Sequence, residues 1–86
     1  MTSTPTFGPW APTLDPAERL ARCRSLRALV RVLAGPRGRE LAAALRQAEA
    51  DPAALDLAAH LLDRLPTVPR RHILAAYVAL DRESRL

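Results

Sequence analysis

The sequence contains no Lys and no Asn, and it has a single Cys and only three aromatic residues in all. With one thiol, Cys23, an intrachain disulfide is excluded and so is a multi-thiolate zinc site. With Phe7, Trp10 and Tyr77 as the only rings, a core must come from helices packed closely over Ala. β-Branched Val and Ile are sparse beside Leu and Ala, a balance that favours helix over strand. No apolar run approaches the length of a membrane span. The opening stretch MTSTPTFGPWAPTL has neither the basic nor the apolar region of a signal peptide. The expectation is a soluble, cytoplasmic, bacterial protein.

At 86 residues the chain has room for one small domain. Arg supplies all 13 basic side chains against 9 acidic ones, for a net charge of +4. Such a balance invites a nucleic-acid reading. It is equally what codon drift in a GC-rich genome produces, since Ala, Leu and Pro are abundant too. Both explanations stay open.

Residues 1–14 are rich in Pro and Thr and predict an extended or flexible tail ahead of a single helical domain at 15–86. Two of the three aromatics lie in this tail, in Phe7-Gly8-Pro9-Trp10. Either Trp10 folds back onto the domain, the favoured alternative, or the segment is a linear motif for a partner. Asp15-Pro16-Ala17-Glu18 then places an N-cap, an N1 proline and a capping-box acid in register. The helix it opens is expected to run to about Ala34 and stop at Gly35-Pro36, burying Leu20, Cys23, Leu26, Val30 and Leu33. In that stripe Cys23 reads as a small buried hydrophobe rather than a nucleophile. Arg24, Arg27 and Arg31 form a separate ridge that is either a solvated face or a contact for phosphates or carboxylates.

A second helix fits Arg39 to about Ala50, with Leu41, Ala44, Leu45 and Ala48 inward. Asp51-Pro52 repeats the Asp-Pro start and opens a third, through about Arg64, lined by Leu55, Ala58, Leu62 and Leu65 with Leu61 on its shoulder. His60 lies one turn beyond Asp56, which predicts a surface pair; no spacing supports a metal site. Pro66 ends this helix, Thr67 suits the next N-cap, and Pro69 is tolerable in a first turn. The fold class predicted is all-α, a compact bundle of about four helices with a tight helix-turn-helix-like corner.

On a helical wheel of the last helix, Pro69, Ile73, Ala76, Tyr77 and Leu80 gather on one side and are expected to face the core. Leu74 and Val78 fall on another side, flanked by Arg70, Arg71 and Asp81, and are expected to face solvent in the free protein. A helix apolar on two faces in so small a domain points to a partner. The candidate partner-binding residues are therefore Arg70, Arg71, Leu74 and Val78, with the ridge Arg24, Arg27 and Arg31 second. A DNA-reading helix needs groups for base edges over its first two turns, but here Arg70-Arg71-His72 gives way to Ile73-Leu74-Ala75-Ala76. Sequence-specific DNA binding is disfavoured; a small basic helix-turn-helix regulator remains the alternative. A toxin–antitoxin or phage accessory protein would also bind a protein partner. No Gly-rich phosphate loop, exposed nucleophile or acid–histidine cluster marks an enzyme, and no catalytic, metal, cofactor or small-molecule site is assigned.

The Arg-rich first helix ending in Leu33-Ala34-Gly35, together with Asp51-Pro52-Ala53-Ala54-Leu55, Leu62-Asp63-Arg64-Leu65-Pro66 and Arg70-Arg71-His72-Ile73-Leu74-Ala75-Ala76-Tyr77, resembles the QseM-type quorum-sensing antiactivators of integrative and conjugative elements. The resemblance covers roughly Asp15 to Leu80 and leaves the tail outside. It implies a helical domain of helix-turn-helix ancestry that binds transcriptional activators rather than DNA. Its expected targets are a LuxR-type quorum-sensing regulator and an activator of excision, and its expected effect is to repress excision and transfer of the element. It implies no catalytic residues.

Overall fold

The computed structural model of the protein describes residues 6–84, so residues 1–5 of the expected tail lie outside the described part. Four helices follow in order: α1 (Pro16–Leu33), α2 (Arg39–Ala50), α3 (Ala54–Asp63) and α4 (Thr67–Ser84). The fold is an all-α globule, with no strand among the described residues. A short 3₁₀ turn, Gly8–Trp10, precedes α1, and another, Gly35–Gly38, links α1 to α2.

Local chemistry explains the helix ends. The Glu18 N–H donates to Asp15 Oδ1 at 2.8 Å, and Pro16 occupies the first turn of α1. The second half of the expected capping box is absent: the Glu18 carboxylate instead accepts from Arg22 Nε, one turn ahead, at 2.9 Å. At the other end Gly35 adopts φ +56°, the left-handed conformation that closes a helix, and Pro36 prevents its continuation. The bounds of α2 agree with the sequence reading. The Asp-Pro start of α3 is displaced: Asp51 is extended, its Oδ1 accepts from Ala53 N–H at 3.1 Å, and regular helix begins only at Ala54. Asp51 serves the end of α2 as well, donating its N–H to Gln47 O, so Pro52 and Ala53 form a turn. Three residues, Arg64–Pro66, make the corner between α3 and α4. Thr67, expected at the cap, is the first helical residue.

Helix α1 is the central element, packed against α2, α4 and the N-terminal turn. Its Leu26 and Val30 are wholly buried with Leu41, Leu45, Ala58 and Ile73, and Leu62, Leu65 and Tyr77 close the same core. Cys23 is fully buried in a smaller cluster with Ala48 and Ala54, as a small hydrophobe. Both ends of the expected stripes come out differently. Leu33 is exposed, because the turn after α1 brings Gly38 over Val30 and Ala34 instead. A Cβ on Gly38 would stand 2.6 Å from Val30 Cγ1, so only glycine allows this approach. Leu20 is half-buried, and Leu80 is exposed, one turn beyond Tyr77 on the rim of an open hollow with Glu18 and Ala21. Asp56 and His60 are both exposed and do not pair, contrary to the sequence expectation.

Trp10 folds back onto the domain. It is buried, and its indole Nε1 donates to Leu55 O at 2.8 Å, tying the N-terminal turn to α3. Phe7 packs against Trp10 with ring centroids 5.5 Å apart and meets Tyr77 of α4 edge-on at 6.1 Å. Arg22 adds a third tie, donating from Nη1 to Gly8 O at 3.2 Å.

Candidate functional site

The last helix presents its core residues on one side because Ile73 and Tyr77 stand four apart, a spacing that stacks side chains on one helix face. Ile73 has no exposed surface and Tyr77 is buried beneath Phe7. The four residues singled out in the sequence then separate into distinct environments. Val78 is 49% exposed and Arg71 is exposed, so both are open to a partner. Leu74, expected in solvent, is half-buried and packs against the main core. Its position beside Ile73 carries it to the edge of the buried face, where it shows one side only. Arg70 is half-buried as well, and its Nη1 donates to Asp63 O at 2.7 Å. That bond satisfies a carbonyl at the end of α3, where a cation is also favoured by the helix dipole. Arg70 thus secures the α3–α4 corner.

Val78 does not stand alone. It borders a hollow with Phe7, Gly8, Ala11 and Arg22, so the N-terminal turn forms one wall of the surface around α4. Phe7 and Val78 together give that hollow an apolar lining, with Asp81 at its margin. The sequence marked Phe7 only as part of the aromatic tail segment; its place beside Val78 depends on the turn docking against Tyr77.

No known protein family, curated protein or solved structure matches the chain. Among the described residues no helix is long and apolar enough to cross a membrane, and no group of three His, Cys, Asp or Glu is placed to hold a metal ion.

The second candidate, the α1 ridge, also divides. Arg24 Nε lies 3.4 Å from Glu49 Oε1 and Arg27 Nη1 lies 3.5 Å from Glu49 Oε2, so two ridge arginines share one carboxylate on α2. Arg31 is exposed and has no ion pair among the described residues. Arg46 of α2, not singled out from the sequence, borders the same groove. Its place on the polar side of α2 was legible, but not the helix it would face.

Two buried titratable groups give the domain an alkaline limit. Burial raises the pKa of the Cys23 thiol, and the nearby Glu49 carboxylate pushes the same way. Burial also raises that of the Tyr77 hydroxyl, against the opposing influence of Arg22. As pH rises, the unfolded chain therefore releases both protons before the folded chain does. The stability linked to them is whole below the ordinary thiol pKa, about 8.5, and is lost as pH climbs through the folded values. Urea-unfolding midpoints are expected to be flat near neutrality and to decline above about pH 9. Cys23→Ala should soften the onset of that decline; a wild-type midpoint unchanged to about pH 10 would contradict it.

Proposed function

We propose that the protein acts by stoichiometric binding to transcriptional activators, as an antiactivator of the QseM type that represses excision and transfer of a conjugative element. The sequence resemblance supplies the kind of partner, a LuxR-type quorum-sensing regulator or an excision activator. The observation that carries a protein-binding role is the state of α4. A helix already committed to the core through Ile73 and Tyr77 also holds Val78 half in solvent beside the partly exposed Phe7, with Arg22 and Asp81 bordering the same hollow and exposed Arg71 about two turns earlier on α4. Apolar surface of this kind, rimmed by charge, suits a protein contact in which the apolar centre supplies affinity and the rim charge supplies association rate.

The test uses the tagged chain in its own host. Wild-type protein is expected to co-purify with a DNA-binding activator and to prevent that activator from binding its promoter. Val78→Ser is expected to weaken the complex by more than about 1 kcal/mol while leaving the circular dichroism spectrum unchanged. Arg71→Ser should chiefly slow association and reduce its salt sensitivity. A chain that itself bound duplex DNA at micromolar affinity in physiological salt, losing it steeply as salt rises, would be a DNA-binding regulator instead.

A further inference from the structure

We infer that the groove between α1 and α2 is a docking site for an acidic amphipathic helix presented by a protein partner. The site is separate from the α4 surface and does not depend on the antiactivator reading. Its walls carry four guanidinium groups, Arg24, Arg27 and Arg31 from α1 and Arg46 from α2, against the single carboxylate of Glu49. That carboxylate is engaged by Arg24 and Arg27, while Arg31 and Arg46 meet no acid among the described residues. Codon usage can set how many arginines a chain has; it does not gather them from two helices into one groove. Elsewhere on α1, Arg22 has Glu18 at 2.9 Å.

The floor decides what kind of anion fits. On its α2 side Ala42 and Ala43 offer methyl groups beside the amide of Gln47, so another helix can approach over the alanines to the close end of the usual interaxial range, about 8–10 Å. A phosphate backbone gains nothing from those methyl groups. An acidic amphipathic helix gains from them through its apolar seam and from the arginines through its carboxylates, while Glu49, only 17% exposed, is already engaged by Arg24 and Arg27. Arg24, Arg27 and Arg31 are spaced by three and then four residues, spanning about 10 Å along α1. The complementary helix carries Asp or Glu at the same three-and-four spacing on one flank, beside a seam of small apolar residues.

The experiment titrates isotope-labelled full-length protein with three probes and follows backbone amide shifts. The first is a designed peptide of about four helical turns with Glu at that spacing beside an Ala/Leu seam. The second keeps the seam and replaces every Glu with Lys, and the third is a short DNA duplex. The acidic peptide is expected to shift amides of residues 24–31 and 42–47, and the Lys peptide to leave them still. Arg31→Gln and Arg46→Glu change exposed side chains that have no ion pair among the described residues, so the fold is expected to persist; each should weaken the acidic peptide by about tenfold. Val78→Ser should leave its affinity unchanged. Equal binding of the Lys peptide, shifts confined to α4, tighter binding of the duplex through the same arginines, or no binding of the acidic peptide would each overturn the inference.

Discussion

Trp10→Ala is expected to cost about 3–5 kcal/mol of folding free energy, the range for removing a buried large aromatic. A domain of this length holds roughly 4–13 kcal/mol in total, so the thermal transition should fall steeply or disappear. The reason lies in what the ring joins. Trp10 is 8% exposed and sits in the main core cluster although it precedes every helix, and its indole bonds to Leu55 O across the molecule. Phe7 leans on the same ring and then on Tyr77, so the loss should spread from α3 to α4. Trp10→Phe separates the two contributions. It keeps an aromatic ring but removes the donor, and should cost about 1–2 kcal/mol beyond the repacking of the smaller ring. Urea unfolding followed by circular dichroism reads both. If Trp10→Ala lowered stability by less than about 1 kcal/mol, the N-terminal turn would not be docked in solution.

The helix boundaries were legible where a signal is local. Asp15-Pro16, Gly35-Pro36 and Pro66 act on their own neighbours, and α1, α2 and α4 begin or end within a residue of the expected places. The inner face of α2 was equally legible, since Leu41, Ala44, Leu45 and Ala48 are buried as their spacing predicts. What the sequence concealed depends on backbone partners and distant elements. The acceptors of Trp10 and Arg70 are main-chain carbonyls, of Leu55 and Asp63, which any residue type could supply. The exposure of Leu33 follows from where the turn at Gly38 runs, and periodicity within α1 carries no information about that turn. In the candidate site, exposed Val78 and Arg71 fit the wheel, whereas Leu74 lies so near the boundary of the buried face that its packing decides its state. The meeting of Arg46 with the α1 ridge required the packing of two helices to be known.

The two faces of α4 should separate cleanly under substitution. Ile73→Ala and Tyr77→Ala are each expected to cost about 2–5 kcal/mol, because each empties volume that the surrounding helices cannot readily refill. Ile73 has no exposed surface, and the Tyr77 ring lies 7% exposed against Phe7, with the backbone of Gly8 pressed close above it. Tyr77→Phe keeps the ring and its contacts and should stay near wild type in stability at neutral pH, while removing one of the two groups that make the fold sensitive to alkali. Val78→Ser stands opposite. With half its side chain already in water, it should change stability by no more than about 0.5 kcal/mol, and its effect should be seen in partner binding. Leu74→Ser is expected between them, at about 1–2 kcal/mol, since a half-buried side chain loses part of its packing and leaves a polar group at the core's edge. Parallel urea titrations and binding measurements on the five variants give the decisive order. If Leu74→Ser unfolded the domain outright, the edge of α4 would belong wholly to the core and the contact surface would contract to Val78, Arg71 and Phe7. If Val78→Ser folded normally and bound its activator as wild type does, the protein-binding surface would lie away from α4.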